Sequence, residues 1–340
     1  MTTITTRHRR NSTILGRLTS TFREATRPAA TPRRARPGFE ALEDRKVLST
    51  ISVTNNLDSG PGSLRDAIDR ALPYDVVKLS PNLAGQTIQL TSGQLLVDTP
   101  LSIDATQAPD VRIDAGGRSN VIRIVSSTRD AGFSIAGASG HNLVIANGAA
   151  TGPYASSGGN IVNIAGSGSG ENLTLVNVTL TGGRGSTGGG LTNYQGHVTL
   201  AFCMVTGNTA TQGGGIYSVG SRVVLNQTYV GSNSATGAQG LGGGVYLAGS
   251  GQLVLAGATL FANTAAVAGG GIYSVATAGS SVAITRNSYV TGNTAYFGGG
   301  VCIQGLKGVP VVFTTDATSS TRFNNRTLGG PLPDTFIFRV

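Results

Sequence analysis

The chain has no tryptophan, few charged residues and almost no cysteine. Charged residues make up 12% of its 340 residues and aromatic residues 6%, whereas about a quarter of an average domain is charged. Cys203 and Cys302 are too few for a disulfide scaffold. We expect no transmembrane helix, since no apolar run reaches the length of about 18 residues that a membrane span needs.

Carboxylates are missing from a long part of the chain. Of the sixteen Asp and Glu residues, fourteen lie at or before Glu171, and none lies between Asn172 and Thr315. Acid–base catalysis by paired carboxylates and calcium binding both require such side chains, so this stretch supports neither. We therefore expect no catalytic residues, no metal-binding or cofactor-binding residues, and no cofactor.

Glycine, in contrast, is abundant, with 51 residues. A helical bundle is excluded, because each glycine costs a helix about 1 kcal/mol relative to alanine. Collagen is excluded as well, since the glycines form clusters and do not occupy every third position.

The formal net charge of +9 comes mostly from the N-terminus. Residues 1–50 hold eleven of the 25 Lys and Arg but only four acids, so the rest of the chain offers no basic face for nucleic acid. Residues 1–49 are predicted to be a disordered, Arg-rich sorting leader without the apolar core of a secretory signal. The alternative is an organelle transit peptide.

A short helix is predicted directly after this leader, within an N-terminal cap that spans residues 50–75. Ser63, with Asp66 three residues later, begins it as a capping pair, and Pro73 ends it. One apolar face is expected to cover the end of the following structure; it comprises Leu64, Ala67, Ile68, Ala71 and Leu72.

An internal repeat dominates the rest of the sequence. Five strand-like segments begin 25, 25, 30 and 29 residues apart; they start at Leu173, Val198, Val223, Leu253 and Val282. Four copies of the repeat share one asparagine each, namely Asn208, Asn233, Asn263 and Asn293. A triple glycine follows each of these asparagines, beginning at Gly213, Gly242, Gly269 and Gly298, with an earlier copy at Gly188.

This period of 25 to 30 residues indicates a β-solenoid. Each unit shows alternating polar and apolar residues in three short runs that end in turn-forming residues. Val198, Leu200 and Val205 are predicted to point inward and Thr199 outward. Residues 76–313 are predicted to form nine or ten stacked coils, followed by a C-terminal cap or tail at residues 314–340. Cys203 and Cys302 then lie three to four coils apart, too far to bond.

Two motifs add a resemblance to a known family. Leu42, Glu43, Arg45 and Leu48 resemble the leader motif of planctomycete surface proteins. The segment from Asp58 to Ile68, DSGPGSLRDAI, is similar to the opening of bacterial β-helix surface proteins, and the glycine and asparagine repeats resemble those of polymorphic outer membrane proteins. The resemblance implies an extracellular or outer cell-surface protein. The predicted fold is thus an all-β, right-handed parallel β-helix of the pectin-lyase type.

The repeated residues have both structural and functional interpretations. The asparagines are predicted to stack and to bond to backbone at an inward turn, and the triple glycines to form tight corners with positive φ. Tyr217, Tyr246 and Tyr273 are predicted to form one aromatic column, and Tyr229 and Tyr289 a second one. A buried column would stabilise the stacked strands, and an exposed one would bind sugar rings.

We therefore expect an exported structural or adhesive protein without catalytic activity. It is expected to be a monomer, with surface polysaccharide or other envelope components as partners and no nucleic acid. The alternative is a polysaccharide-binding or polysaccharide-cleaving enzyme of the pectate lyase kind. Its site would have to lie in the early coils around Asp104 and Asp114, which belong to an acidic cluster with Asp98 and Asp110 near Arg112, Arg118 and Arg123.

Overall fold

Short extended segments pair in parallel with the equivalent segment one repeat later. The computed structural model describes residues 48–126, 132–150, 158–165, 172–320, 325–328 and 335–339. All but the last two residues of the predicted leader lie outside these ranges. Within the described residues, the strands β1 to β33 form four sheets of ten, eight, six and nine strands, and every strand pair given by the registers is parallel.

The ten-stranded and eight-stranded sheets carry the first two strands of each coil. The ten-stranded sheet contains β1 (Thr50–Val53), β2 (Val76–Leu79), β5 (Ser102–Ala105), β8 (Gly132–Gly137), β11 (Asn172–Val176), β15 (His197–Ala201), β19 (Arg222–Asn226), β23 (Gln252–Ala256), β27 (Ser281–Thr285) and β31 (Val312–Thr315). The eight-stranded sheet contains β3 (Thr87–Gln89), β6 (Arg112–Asp114), β9 (Leu143–Ala146), β12 (Val178–Thr181), β16 (Met204–Thr206), β20 (Tyr229–Gly231), β24 (Thr259–Phe261) and β28 (Tyr289–Thr291).

The six-stranded and nine-stranded sheets complete the coil. The six-stranded sheet contains β13 (Arg184–Thr187), β17 (Thr209–Gln212), β21 (Ser234–Ala235), β25 (Thr264–Ala268), β29 (Thr294–Phe297) and β32 (Arg326–Thr327). The nine-stranded sheet contains β4 (Leu95–Val97), β7 (Ile122–Ser126), β10 (Ile161–Ala165), β14 (Leu191–Tyr194), β18 (Ile216–Val219), β22 (Val245–Ala248), β26 (Ile272–Ala276), β30 (Val301–Gly305) and β33 (Thr335–Arg339). About nine turns result, so the predicted parallel β-helix is confirmed.

Alternation along each strand builds the core. Val198, Leu200 and Val205 are at most 1% exposed, whereas Thr199 is half-buried and faces outward, as predicted. Equivalent apolar residues lie in register from coil to coil, for example Leu173, Val198 and Val223. Full burial of one such side chain is worth about 1.5 to 3 kcal/mol, so each added coil extends one continuous core.

The predicted capping helix is present as α1 (Leu64–Arg70), and a short 3₁₀ helix follows at Pro81–Leu83. The side chain of Ser63 accepts a hydrogen bond from the Asp66 N–H at 3.2 Å. The helix packs on β1, β2 and β4 with its residues Leu64, Ala67 and Ile68 buried. The prediction for Leu72 was wrong: the helix ends before it, and its side chain is 68% exposed.

Two features go beyond the predicted pattern of three runs per coil. The first is a short fourth strand per coil, which pairs into the six-stranded sheet; β17, for example, begins right after Asn208. The second is β33, which pairs with β30 and so places Phe336 beside Cys302 on the last described coil.

Candidate functional site

An asparagine ladder fills the buried corner between the eight-stranded and six-stranded sheets. The Oδ1 atom of Asn233 accepts hydrogen bonds from the backbone N–H and the Nδ2 of Asn208, at 3.1 and 3.0 Å. Its Nδ2 donates to the carbonyl oxygen of Val205 at 2.8 Å and to Oδ1 of Asn263 at 3.0 Å. All four hydrogen-bonding positions of the amide are thus satisfied. The predicted structural role of the ladder is confirmed.

The ladder is longer than its repeat motif indicated. Asn160 donates from Nδ2 to Oδ1 of Asn208 at 3.2 Å, and Asn293 donates from Nδ2 to Oδ1 of Asn325 at 3.0 Å. Asn160 was not predicted as a member because no Thr-Ala or Ser-Ala pair follows it.

The triple glycines are corners, as predicted, but only the first glycine of each has positive φ. At Gly213 φ is 63°. The other two are required because backbone approaches them closely. A Cβ atom on Gly214 would lie 2.5 Å from the carbonyl carbon of Ser234, and one on Gly215 would lie 3.0 Å from Nδ2 of Asn233. The glycines thus allow one coil to pack directly on the six-stranded sheet and on the ladder of the next coil.

The predicted tyrosine column is confirmed on the outer side of the nine-stranded sheet. The rings of Tyr217 and Tyr246 stack with centroids 4.9 Å apart, and those of Tyr246 and Tyr273 with centroids 5.5 Å apart. Tyr246 and Tyr273 are only 8% and 4% exposed, because residues such as Leu241 and Phe297 pack beside them. Burial raises the pKa of Tyr273 to about 12. Tyr246 and Tyr273 are therefore buried side chains that stabilise the stacked strands.

The second predicted column lies on the outer face of the eight-stranded sheet. Tyr229 and Tyr289 share one register position, with Thr259 between them. Tyr289 is 39% exposed, and Phe261 on the same face is 45% exposed. Aromatic surface that is open to solvent is thus present on the eight-stranded sheet.

A row of hydroxyl groups lies next to these rings on the outer face of the six-stranded sheet. The register places the following side chains in one column, which we call the hydroxyl row: Arg184, Thr209, Ser234, Thr264, Thr294 and Arg326. Thr264 donates a hydrogen bond from Oγ1 to Oγ of Ser234 at 3.1 Å. The row therefore presents a ladder of hydroxyls that ends in an arginine at each side.

One end of the hydroxyl row opens into a cavity of about 380 Å³, which we call the corner cavity. Its lining includes three turn residues with positive φ, Asn147, Gly182 and Gly207. It also includes Arg184 and Thr209, the first two residues of the hydroxyl row. The cavity lies where the early coils have no strand of the six-stranded sheet.

The acidic residues of the early coils do not converge on one groove. Asp104 lies on the ten-stranded sheet, where Oδ1 accepts hydrogen bonds from the N–H and Oγ1 of Thr106 at 2.9 and 2.6 Å. Asp114 lies on the eight-stranded sheet and pairs with Nε of Arg112 at 2.8 Å. Asp110 pairs with the exposed His141 at 3.0 Å. Each of these carboxylates therefore already has a hydrogen-bonded partner in its turn or strand.

Asp114 is the most buried of these carboxylates, 7% exposed. Its oxygens also accept from the Gly116 N–H at 2.7 Å and from Nδ2 of Asn147 at 2.8 Å. Burial alone would raise its pKa, but these bonds and Arg112 outweigh burial and hold the pKa of Asp114 below its usual value. Asp98 and Arg123, by contrast, line a separate cavity of about 380 Å³ beside Leu96.

The Asp58-to-Ile68 motif forms a latch between α1 and the loop before β4. Oδ2 of Asp58 accepts hydrogen bonds from the backbone N–H groups of Thr91 and Ser92, at 3.1 and 2.7 Å. Arg65 donates to Oδ1 of Asp58 at 2.8 Å and to the carbonyl oxygens of Gly93 and Gln94, at 2.7 and 2.8 Å. The structural role of the motif was not apparent from the sequence, because its partners lie about 30 residues further along the chain.

Comparison with protein-family models, with curated proteins and with solved structures finds no match for this chain. In the described ranges, no three His, Cys, Asp or Glu side chains are grouped so that they could hold a metal ion. None of the helices described here is long and apolar enough to cross a membrane. Cys203 and Cys302 are not bonded to each other, as predicted, and both are buried.

Proposed function

We propose that the protein is a non-catalytic adhesive or structural module of the cell surface. The observation that carries this proposal is the difference between the inner and the outer faces of the sheets. On the inside, the ladder amides and the apolar side chains contact their equivalents in neighbouring coils and the adjacent backbone. On the outside, side chains of the same type recur in register on the exposed faces of the sheets. A β-helix that repeats its surface groups at about 4.8 Å per coil is suited to binding an extended polymer.

The early carboxylates support a non-catalytic role. Asp104 and Asp114 lie on different sheets, and each is held by turn or strand partners. A catalytic pair needs two groups that face the same substrate bond, and these two residues do not share a face. The proposal therefore assigns them to the structure of the early coils.

Export is part of the same proposal. It is supported by the resemblance of the segments at Leu42–Leu48 and Asp58–Ile68 to those of planctomycete and polymorphic outer membrane proteins. Deletion of residues 1–49 should leave the protein inside the cell, measured by surface labelling of intact cells. Unchanged surface labelling of the shortened chain would contradict the sorting role.

One screen distinguishes polysaccharide binding from polysaccharide cleavage. The full chain is incubated with acidic and neutral polysaccharides, with and without calcium, and both retention and newly formed chain ends are measured. We expect retention without new ends. New ends that disappear in the Asp104→Asn/Asp114→Asn variant, while this variant keeps its circular dichroism spectrum, would establish the enzyme instead.

A further inference from the structure

The hydroxyl row is suited to an anionic ligand because of its charge. Within the described residues, neither Arg184 nor Arg326 has an ion-pair partner, and both side chains are exposed. The residues between them carry no charge. A row with unpaired guanidinium groups at both ends attracts negative groups, and guanidinium binds carboxylate or sulfate through two parallel hydrogen bonds.

The row presents one side chain per coil along the axis of the β-helix. Its six positions belong to six consecutive coils, so Arg184 and Arg326 lie about 24 Å apart at about 4.8 Å per coil. Oγ of Ser234 accepts a hydrogen bond from Oγ1 of Thr264, so the Ser234 hydroxyl can itself donate to an outside acceptor. A chain of sugar units that lies along the axis would meet one polar side chain of the row at each coil.

Aromatic surface flanks the row on the side of the eight-stranded sheet. Phe261 precedes Thr264 by three residues, and its exposed ring lies over the next coil, where a Cβ on Gly292 would come within 2.7 Å of it. Aromatic faces pack against the apolar C–H faces of sugars while neighbouring polar groups bond to their hydroxyls. A sugar polymer fits this surface better than a compact anion does.

We propose that the hydroxyl row and the corner cavity bind one chain of a polysaccharide that carries carboxylate or sulfate groups. Arg184 and Arg326 bind the anionic groups, the Thr and Ser hydroxyls bond to the sugars, and Phe261 packs against a sugar face. The corner cavity receives one end of the bound segment beside Arg184. This inference rests on the proposed adhesive function and adds its site and ligand class.

The test measures binding of the full chain to alginate, dextran sulfate and unsubstituted dextran. We expect binding to an acidic polymer that weakens with added salt, and weak or no binding to dextran. Preference between alginate and dextran sulfate identifies carboxylate or sulfate as the anionic group. Equal affinity for dextran, or for double-stranded DNA, would overturn the ligand class.

A charge-matched pair of variants locates the site. Arg184→Gln/Arg326→Gln should weaken binding of the acidic polymer about tenfold. Arg222→Gln/Arg286→Gln removes the same charge from exposed positions outside the row and should change binding less than about twofold. Equal losses in both variants would mean unspecific attraction and would overturn the site.

The aromatic contact has its own control. Phe261→Ala should weaken binding on the order of fivefold, whereas Phe202→Ala, at a 51% exposed corner position, should leave it unchanged. If the acidic polymer binds but no variant of the row or Phe261 affects it, the adhesive function stands and this site is wrong. If no polysaccharide binds at all, the site and the adhesive function are both wrong, and the structural function remains.

Discussion

At the scale of single residues, the ladder asparagines tolerate little change because each amide serves two neighbouring coils. Asn233→Ala would leave the N–H and Nδ2 of Asn208 without their shared acceptor. Buried polar groups without partners cost about 1 to 3 kcal/mol each. We expect a loss of about 3 kcal/mol in the free energy of unfolding, measured by urea denaturation followed by circular dichroism.

Asn226→Ala is the matched control for this prediction. Asn226 faces outward on the ten-stranded sheet, and its register neighbours Ala201 and Ala256 are already alanine. The variant should differ from the wild type by less than about 0.5 kcal/mol. Equal effects of the two substitutions would show that the ladder bonds add no stability.

The middle glycine of each corner is a second position where one added carbon atom is expected to lower the stability of the fold. Gly214→Ala would place Cβ 2.5 Å from the backbone of Ser234 and Gly243. Because backbone cannot move aside cheaply, we expect destabilisation of at least about 3 kcal/mol. Gly132→Ala, where no heavy atom lies within 4 Å of the added Cβ, should be close to neutral. A folded Gly214→Ala variant with wild-type stability would disprove the close packing of the coils.

Sequence patterns predicted the structural role of some of these residues but not of others. The asparagine ladder and the tyrosine column followed from their spacing, since residues one repeat apart share a register position. The spacing did not predict that the second and third glycines of each corner must be glycine. That requirement arises from contact with the next coil, as between Gly215 and Asn233. The burial of Tyr273 was equally hidden, because it depends on packing beside Phe297.

At the scale of elements, the latch of Asp58 and Arg65 attaches the capping helix to the first coil. Burial alone would raise the pKa of Asp58, but hydrogen bonds from Ser92, Arg65 and Thr91 outweigh it and hold the pKa well below the usual value. A group with a lowered pKa stabilises the fold above its unfolded pKa of about 3.9. That contribution is lost as the pH falls toward the folded pKa.

Asp58→Asn should therefore lower the midpoint of urea denaturation at about pH 6. The gap to the wild type should narrow between about pH 4 and pH 2, as the wild-type carboxylate becomes protonated. Asp69→Asn removes a charge from the exposed side of the same helix and should have little effect at either pH. A gap for Asp58→Asn that stays constant with pH would disprove the ionic role of the latch.

The six-stranded sheet was not predicted from the sequence, and its side chains explain why. Its strands are short, and the residues that face inward, such as Ala210, Ala235 and Ala265, are small. The backbone of the corner glycines approaches these strands closely: a Cβ on Gly243 would clash with the carbonyl oxygen of Thr264. The hydroxyl row thus lies on a strand whose apolar signal is too weak to reveal it.

At the scale of the whole molecule, each coil contacts only its neighbours, so unfolding is expected to spread from an end. The two cysteines report on different positions along the axis. Cys203 precedes β16, the fifth strand of its sheet, whereas Cys302 lies in β30, next to the last strand of its sheet. Both are at most 2% exposed, and burial raises the pKa of both thiols to about 12.

Thiol labelling in urea below the main transition should therefore modify Cys302 before Cys203. Opening the end of the stack near β33 exposes Cys302 after the loss of about one coil, whereas Cys203 stays covered until about three more have opened. Labelled peptides are quantified by mass spectrometry after short pulses of a thiol reagent, with fully denatured protein as the control for equal intrinsic reactivity. Simultaneous labelling at every urea concentration would instead mean that the β-helix unfolds as one cooperative unit.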